Sequence, residues 1–153
     1  MPLQIAQSAP DFTLYDSDKN KVSLQEQTGS NVLLLFFPFA FSSTCTAELC
    51  SIRDNISRYN AVQAKVFGIS VDSLYTLAKF KSSQNLNFTL LSDFNKEVSY
   101  YYGALYETFS YGMKGVSKRV IDKKGFIQYS EVLENASEQP KFDLINKKLE
   151  EFV

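Results

Sequence analysis

The sequence predicts an α/β fold in which helices flank a mixed central β-sheet. A short, continuous apolar run at residues 31–37 lacks polar alternation, which is typical of a strand buried on both faces, and the mainly apolar residues 64–71 predict a second buried strand. Each run is followed by apolar residues at three- and four-residue intervals, the pattern of a helix packed on a sheet. Hairpin patterns lie before and after these units, so strands and helices should share one sheet.

The individual elements follow from local patterns. The further predicted strands occupy residues 12–15, 21–24, 88–91, 120–122 and 126–133. The predicted helices carry Leu49, Ile52, Ile56 and Tyr59 in the first, Leu74, Leu77 and Ala78 in the second, and Phe142, Ile145, Leu149 and Phe152 in the last. We expect Asp72 or Ser73 to cap the second helix. A further helix should open at Ser92 and Asp93 and stop at Gly103.

Length and composition fit a single domain spanning residues 1–153. Apolar residues make up 44% of the chain and aromatic residues 14%, which is enough to build a core. Sixteen basic and seventeen acidic residues leave a net charge of −1, without a basic stripe, so we expect no nucleic-acid partner. The N-terminus lacks a basic leader and no apolar run could span a bilayer, so we expect no membrane association and a cytoplasmic location.

Both cysteines, Cys45 and Cys50, lie just beyond the first buried strand. Cys45 falls where this strand gives way to a helix, and the unpaired N–H groups and the dipole of a helix N-terminus favour a thiolate. The pKa of a free cysteine, about 8.5, should therefore be lowered at Cys45. Pro38 should end the strand because it lacks an N–H, while Ser42 and Thr44 carry hydroxyls close to the sulfur along the chain.

The cysteines allow a simpler interpretation, in which two reduced thiols only fill space in the core. Their close spacing in a chain expected in the cytosol favours redox or metal chemistry over a structural disulfide. The chain contains no histidine, so a zinc site would need two carboxylates beside both thiols, an unusual ligand set. We expect no metal and no other cofactor, and the same absence excludes a Cys–His hydrolase mechanism.

The region around the cysteines resembles the active site of peroxiredoxins. Two motifs carry the resemblance, Pro38-x-x-x-Ser42-x-x-Cys45, and Cys45-Thr46-x-Glu48-x-Cys50 followed by Arg53-Asp54. The first is similar to the family signature Pro-x-x-x-Thr/Ser-x-x-Cys, and the second resembles the bacterioferritin comigratory protein, or peroxiredoxin Q, branch. Further similar segments lie at residues 9–14, 68–73 and 90–93. The resemblance implies a thioredoxin-like fold and thiol-dependent reduction of hydrogen peroxide and small organic hydroperoxides.

The resemblance also implies roles for individual residues. Cys45 would attack the peroxide and become a sulfenic acid, with Ser42 donating a hydrogen bond to the substrate. Cys50 would resolve the sulfenic acid as an intramolecular disulfide, which a thioredoxin- or glutaredoxin-type reductant would reopen. Arg119 would stabilise the thiolate and the transition state as a permanent cation. Members of this branch are monomers or weak homodimers, which leaves the oligomeric state open.

The match at Arg119 holds on its N-terminal side only. Relatives have several more residues between this arginine and the following Ile-Asp, whereas here Val120, Ile121 and Asp122 follow at once. Counting back from Asp122 would put Val116 in the place of the arginine.

Each supporting residue has a structural alternative. The Ser42 hydroxyl could serve as a plain helix N-cap. Glu48 could hold an arginine or be an exposed helix carboxylate. Arg53 could be a second local cation or a salt-bridged surface residue. The aromatic segment 105–111, with Tyr106, Phe109 and Tyr111, could line a pocket or pack at a surface or dimer contact.

Other functions on the same fold are a thiol–disulfide oxidoreductase and a redox-sensing or chaperone-like binding protein. An oxidoreductase normally uses Cys-x-x-Cys, whereas four residues separate Cys45 from Cys50. In an intact helix, residues five apart are separated by a rise of about 7.5 Å. A disulfide needs Cα atoms within about 4.4–6.8 Å, so we expect oxidation to unwind the helix between roughly Thr44 and Ile52.

Overall fold

The computed structural model of the chain describes residues 7–37, 40–102, 117–121, 125–132 and 142–151. Within them, the strands are β1 (Thr13–Asp16), β2 (Lys21–Ser23), β3 (Asn31–Phe36), β4 (Ala64–Ser70), β5 (Thr89–Ser92), β6 (Ser117–Ile121) and β7 (Ile127–Val132). The helices are α1 (Ser43–Asp54), α2 (Ile56–Ala61), α3 (Leu74–Ser83), α4 (Glu97–Tyr101) and α5 (Phe142–Glu151), with a short 3-10 helix at Gln25–Gln27. Strands and helices alternate through the centre of the chain, as the α/β prediction requires.

The strands of the described residues form one sheet in the order β2-β1-β5-β4-β3-β6-β7. Strands β3, β4 and β5 run parallel at its centre, and β1 and β6 pair antiparallel on either side. All six residues of β3 are buried. A central parallel strand is covered on both faces, which explains its continuous apolar sequence. The predicted mixed central sheet is confirmed.

The sheet separates two apolar layers, and alternate residues of β3 point into opposite layers. Leu33 and Leu35 belong to the layer that also contains buried residues of α1, α3 and α5. Leu34 and Phe36 belong to the other layer, which contains Tyr102. Burying a side chain of this size contributes about 1.5–3 kcal/mol, so both layers fix the position of β3 and of the chain that leaves it.

The first covering helix is shorter than its apolar repeat predicts. The repeat runs without interruption from Leu49 to Tyr59, but α1 ends at Asp54 and α2 starts at Ile56. Asn55 causes the break, because its side-chain amide donates to the backbone oxygen of Ser51 at 2.8 Å. Its backbone N–H donates to the oxygen of Ile52, three residues back rather than four. Leu49 and Tyr59 are nevertheless both buried in the same layer.

Both predicted hairpins are confirmed at the level of strand pairing. Strands β1 and β2 pair antiparallel, and the Asp16 carboxylate closes their turn by accepting the backbone N–H groups of Asp18 and Asn20. Strands β6 and β7 also pair antiparallel. Residues 122–124, which connect β6 to β7, lie outside the described residues.

One predicted helix cap is confirmed, and the start of another helix differs from the prediction. Ser73, rather than Asp72, is the N-cap of α3, because its hydroxyl accepts the backbone N–H of Thr76 at 3.1 Å. The helix expected to open at Ser92 and Asp93 begins only at Glu97. Asp93 precedes this helix but still stabilises it, because its buried carboxylate accepts the backbone N–H of Ser99 at 2.7 Å.

Some predictions fall on residues that the structure does not describe. They concern Pro38, the aromatic segment 105–111, the stop at Gly103, and Phe152. In the described ranges, no helix is both long and apolar enough to cross a membrane.

Candidate active site

The site lies at the edge of the sheet where the parallel strands β3, β4 and β5 end. Ligands of open α/β sheets commonly bind outside the carboxyl ends of such strands. Beyond β3, the backbone N–H of Phe37 still donates to the oxygen of Ile69 at 2.9 Å. The chain then passes through residues 40–42 and enters α1. The start of α1 is therefore held against the end of β4.

Helix α1 begins at Ser43. The backbone oxygen of Ser42 accepts the N–H of Thr46 at 2.9 Å, so Ser42 occupies the N-cap position and Cys45 is the third helical residue. In an α-helix, the N–H groups ahead of this first hydrogen bond have no carbonyl partner within the helix, and they favour a negative charge nearby. The backbone of Cys45 is thus at the predicted helix N-terminus. The side chains of Cys45 and Thr44 lie outside the described part of the molecule.

Phe41 gives the turn before α1 an unusual backbone. Its φ angle is +70°, in the left-handed region that bulky residues rarely adopt. Such a conformation costs about 1–3 kcal/mol and occurs preferentially at functional sites. The Phe41 ring is half exposed and packs on the ring of the buried Phe80, with centroids 5.0 Å apart. This contact offsets part of the strain and fixes the direction in which α1 leaves the sheet.

Asp72 ties the three strand ends together. One of its carboxylate oxygens accepts the backbone N–H of Ala40 at 2.8 Å and the hydroxyl of Ser70 at 2.9 Å. Its backbone oxygen accepts the hydroxyl of Ser92 at 2.7 Å. Ala40 follows β3, Ser70 ends β4 and Ser92 ends β5, so one residue links the ends of all three parallel strands.

Cys50 lies on the second half of α1 as a free, half-buried thiol. Its Sγ donates to the side-chain oxygen Oε1 of Gln84 at 3.6 Å. Arg53, one turn further along α1, donates through Nη1 to the backbone oxygen of the same Gln84 at 2.6 Å. The hydrogen bond from Arg53 to Asp54 raises the pKa of Arg53, and the nearby Cys50 sulfur adds to the effect. Arg53 is therefore a permanent cation beside Cys50.

The described residues do not place either predicted arginine, Arg53 or Arg119, beside Cys45. Arg53 follows Cys45 by eight residues, which corresponds to about 12 Å along the helix axis, and the described hydrogen bonds of its side chain go to Asp54 and Gln84. In β6, Ser117 pairs with Phe36 at the site edge, whereas Arg119 pairs with Leu34. The backbone of Arg119 is therefore two residues, or about 7 Å, away from that edge. Its side chain is not among those described.

Glu48 is buried, with only 1% of its surface exposed. The interpretation of Glu48 as an exposed helix carboxylate is therefore wrong. It follows Cys45 by three residues and precedes Ile52 by four, so it shares the inward face of α1. A carboxylate is rarely buried unless a partner compensates its charge. Its predicted role in holding an arginine stays a prediction.

Comparison with known proteins identifies the family. The sequence profile described as the AhpC/TSA family matches residues 5–130. The chain belongs to the AhpC/TSA family. A relative from Mycobacterium tuberculosis assigned to the peroxiredoxins is 42% identical over 123 residues, which is 78% of each chain. Peroxiredoxin Bcp of Escherichia coli is 38% identical over 102 residues, covering 67% of this chain and 65% of the relative.

Solved structures of similar proteins agree on the fold. A peroxiredoxin-like protein from Aquifex aeolicus superposes with a TM-score of 0.91 at 21% identity, covering 100% of this chain and 90% of that one. Peroxidoxin BcpB from Mycobacterium tuberculosis gives a TM-score of 0.86 at 24% identity, covering 99% of both chains. The predicted thioredoxin-like fold is confirmed.

Two residues that contact α1 or the turn before it were given no such role from the sequence. Asp72 lies in the family-like segment 68–73, but its only predicted role was as a possible helix cap, although it follows a buried strand, where site residues often lie. Gln84 has no local signal, because its contacts with Cys50 and Arg53 join residues more than thirty positions apart in the chain.

Proposed function

We propose that this AhpC/TSA chain is a thiol-dependent peroxidase that reduces hydrogen peroxide and small organic hydroperoxides. The observation that carries the proposal is the position of Cys45, third residue of a helix that starts at the carboxyl edge of parallel strands. A thiolate there has helix N–H groups and the positive end of a helix dipole to stabilise it. The family membership supplies the class of chemistry that such a thiolate performs.

In the proposed reaction, the Cys45 thiolate attacks one peroxide oxygen. An S–O bond forms and the O–O bond breaks, and the leaving oxygen takes up a proton and departs as water or an alcohol. The sulfur is oxidised to a sulfenic acid. Ser42 would donate to the peroxide and Arg119 would stabilise the developing negative charge, while Pro38 and Thr44 would shape the pocket and Glu48 would hold the arginine.

Cys50 would then complete the cycle. Its thiolate attacks the Cys45 sulfur, an S–S bond forms, and the sulfenic oxygen leaves as hydroxide and is protonated to water. A thioredoxin- or glutaredoxin-type protein would reduce the disulfide. The cycle needs reduced thiols, which fits a cytoplasmic location, and the protein would act as a monomer or weak homodimer.

The disulfide requires α1 to open, and the packing of the helix limits how far it opens. Ile52 is completely buried, and exposing a side chain of this size costs about 1.5–3 kcal/mol. Arg53 is also tied to Gln84 and, through its backbone oxygen, to Asn87. We therefore set the limit of unwinding at about Cys50, short of the extent suggested by cysteine spacing alone.

Single-turnover kinetics with Cys45→Ser and Cys50→Ser tests the proposal. Cys45→Ser should not consume peroxide, whereas Cys50→Ser should perform one oxidation at the unaltered rate and then stall until a small external thiol is added. Equal peroxide consumption by Cys45→Ser and the unmodified protein would overturn the assignment. Reduction of insulin disulfides without peroxide consumption would instead indicate an oxidoreductase.

A further inference from the structure

The side-chain oxygen and the backbone oxygen of Gln84 both accept hydrogen bonds from residues of α1. It is the C-cap of α3, where its backbone N–H donates to the oxygen of Phe80 at 3.1 Å. The next residue, Asn85, turns the chain away with a φ angle of +51°. The backbone of Gln84 is thus fixed from both sides.

The residues that contact Gln84 lie on one face of α1. Cys50 and Arg53 are three residues apart, which makes them neighbours on the helix surface. The thiol of Cys50 donates to the side-chain oxygen of Gln84 at 3.6 Å, and Arg53 donates to its backbone oxygen at 2.6 Å. Gln84 therefore contacts the thiol and the cation beside it, through two different groups.

We propose that Gln84 is a positioning residue for Cys50, holding its thiol in the protonated, docked state and thereby limiting how fast Cys50 resolves the Cys45 sulfenic acid. The inference rests on the proposed peroxidase function. It concerns the second step of the cycle and not the attack on peroxide.

Two physical effects give Gln84 this influence. A hydrogen bond that a thiol donates stabilises the protonated form, and the thiolate is the species that attacks. The negative end of the α3 dipole, at Gln84, acts in the same direction. The bond must also break before Cys50 can leave its position and approach Cys45. Arg53 opposes the first effect, because its positive charge stabilises the thiolate form of Cys50.

The rate of resolution decides what excess peroxide does to the protein. A sulfenic acid that waits can react with a second peroxide molecule and become a sulfinic acid, which most cells cannot reverse. The hydrogen bond between Cys50 and Gln84 delays Cys50 and so lengthens the lifetime of the Cys45 sulfenic acid. Gln84 would therefore set the peroxide concentration at which the enzyme inactivates itself.

Gln84→Met tests the inference, because methionine keeps the length of the side chain and the backbone oxygen for Arg53 but lacks the amide oxygen. We expect an unchanged rate of the first oxidation and disulfide formation about two- to tenfold faster, as for loss of one hydrogen bond. The pH at which resolution is half-maximal should fall, because the thiol loses the acceptor of its hydrogen bond. Gln84→Glu should move the same midpoint upward, because a carboxylate repels the thiolate.

Asn87→Ala is the matched control. It removes another bond to the same turn of α1, from the Asn87 amide to the Arg53 oxygen at 3.2 Å, without touching the thiol. We expect Asn87→Ala to leave the rate and pH midpoint of resolution unchanged. Equal acceleration by Asn87→Ala would overturn the inference, because the effect would then come from loosening the helix.

The outcomes separate this inference from the proposed function. If the unmodified protein forms no disulfide with peroxide, the proposed function fails and the role of Gln84 fails with it. If the disulfide forms, but Gln84→Met resolves with the unmodified rate and pH midpoint, the role of Gln84 alone is overturned. Faster resolution in Gln84→Met, with a two- to tenfold higher peroxide concentration needed for inactivation, would support it.

Discussion

The carboxylate of Asp72 accepts the backbone N–H of Ala40 at 2.8 Å, across 32 positions of the sequence. Ala40 lies between the end of β3 and the strained turn at Phe41, which leads into α1. The start of α1 is therefore positioned by a residue at the end of β4. The helix N-terminus that should activate Cys45 is positioned in part by this contact between neighbouring strand ends.

Asp72→Ala should slow the oxidation of Cys45 about tenfold, because the loop that leads into α1 loses its anchor. Two donors, on Ala40 and Ser70, lose their acceptor, which should lower the free energy of unfolding by about 1–3 kcal/mol. Stopped-flow oxidation and urea denaturation measure the two effects. Asp72→Asn keeps an acceptor oxygen and should recover most of the rate, and Asp18→Ala, in the exposed β1–β2 turn, should change neither. A loss of stability with an unaltered oxidation rate would contradict the positioning role.

Hydrogen exchange should reveal how far α1 opens. In the oxidised protein, we expect residues 47–50 to lose amide protection, while residues 69–71 keep it, because they are held in the central sheet. Cys50→Ser, which cannot form the disulfide, should show no change after peroxide treatment. A disulfide found by mass spectrometry together with full protection of residues 47–50 would contradict the proposed opening.

The two arginines should differ in their effect on Cys45. Arg119→Met should raise the pKa of Cys45 by roughly 1–3 units, as expected for loss of a nearby cation. Arg53→Met should leave that pKa unchanged, because Arg53 lies about 12 Å further along the helix. Thiolate absorbance of each variant in a Cys50→Ser background measures the titration of Cys45 alone. The reverse result would transfer the stabilising role to Arg53.

Tyr59 should make stability depend on alkaline pH. Burial raises the pKa of Tyr59 to about 12, with Arg58 and Asn146 acting in the opposite direction. The unfolded chain, with a tyrosine pKa of about 10, loses its proton first. The contribution of Tyr59 is therefore complete below about pH 10 and is lost as the pH rises to about 12. Denaturation of Tyr59→Phe should show a smaller decline over this range, whereas Tyr75→Phe, 69% exposed, should behave like the unmodified protein.

The sequence predicts the sheet and the place of the cysteines well, because these depend on short-range patterns. The short apolar segments that become β3 and β4 have the length and composition of strands at the centre of a sheet. The helix N-terminus at Cys45 follows from the strand that precedes it. The extent of that helix could not be predicted, because the apolar repeat continues across Asn55 while a side-chain hydrogen bond breaks the backbone.

Contacts between distant parts of the chain are the ones that the sequence does not reveal. The bonds from Asp72 to Ala40 and from Cys50 to Gln84 depend on how strand ends and helices are packed, not on spacing. Glu48 is an intermediate case. Its spacing from Cys45 and Ile52 places it on the inward face, but a charged side chain normally avoids that face, so only the packed structure shows that it is buried.

The break at Asn55 divides the chain that packs on this face of the sheet into two helices, α1 and α2. Each helix is held to the sheet by its own buried residues. In a continuous helix, each opening near Cys45 could propagate toward Tyr59 and expose the core. With the break, α2 and its buried Tyr59 can stay docked while the cysteine-bearing turns come apart. Local openings of this kind need far less free energy than global unfolding. While the disulfide is formed, a protease would therefore find cleavable backbone only in the short segment before Asn55, and the rest of the fold would stay resistant.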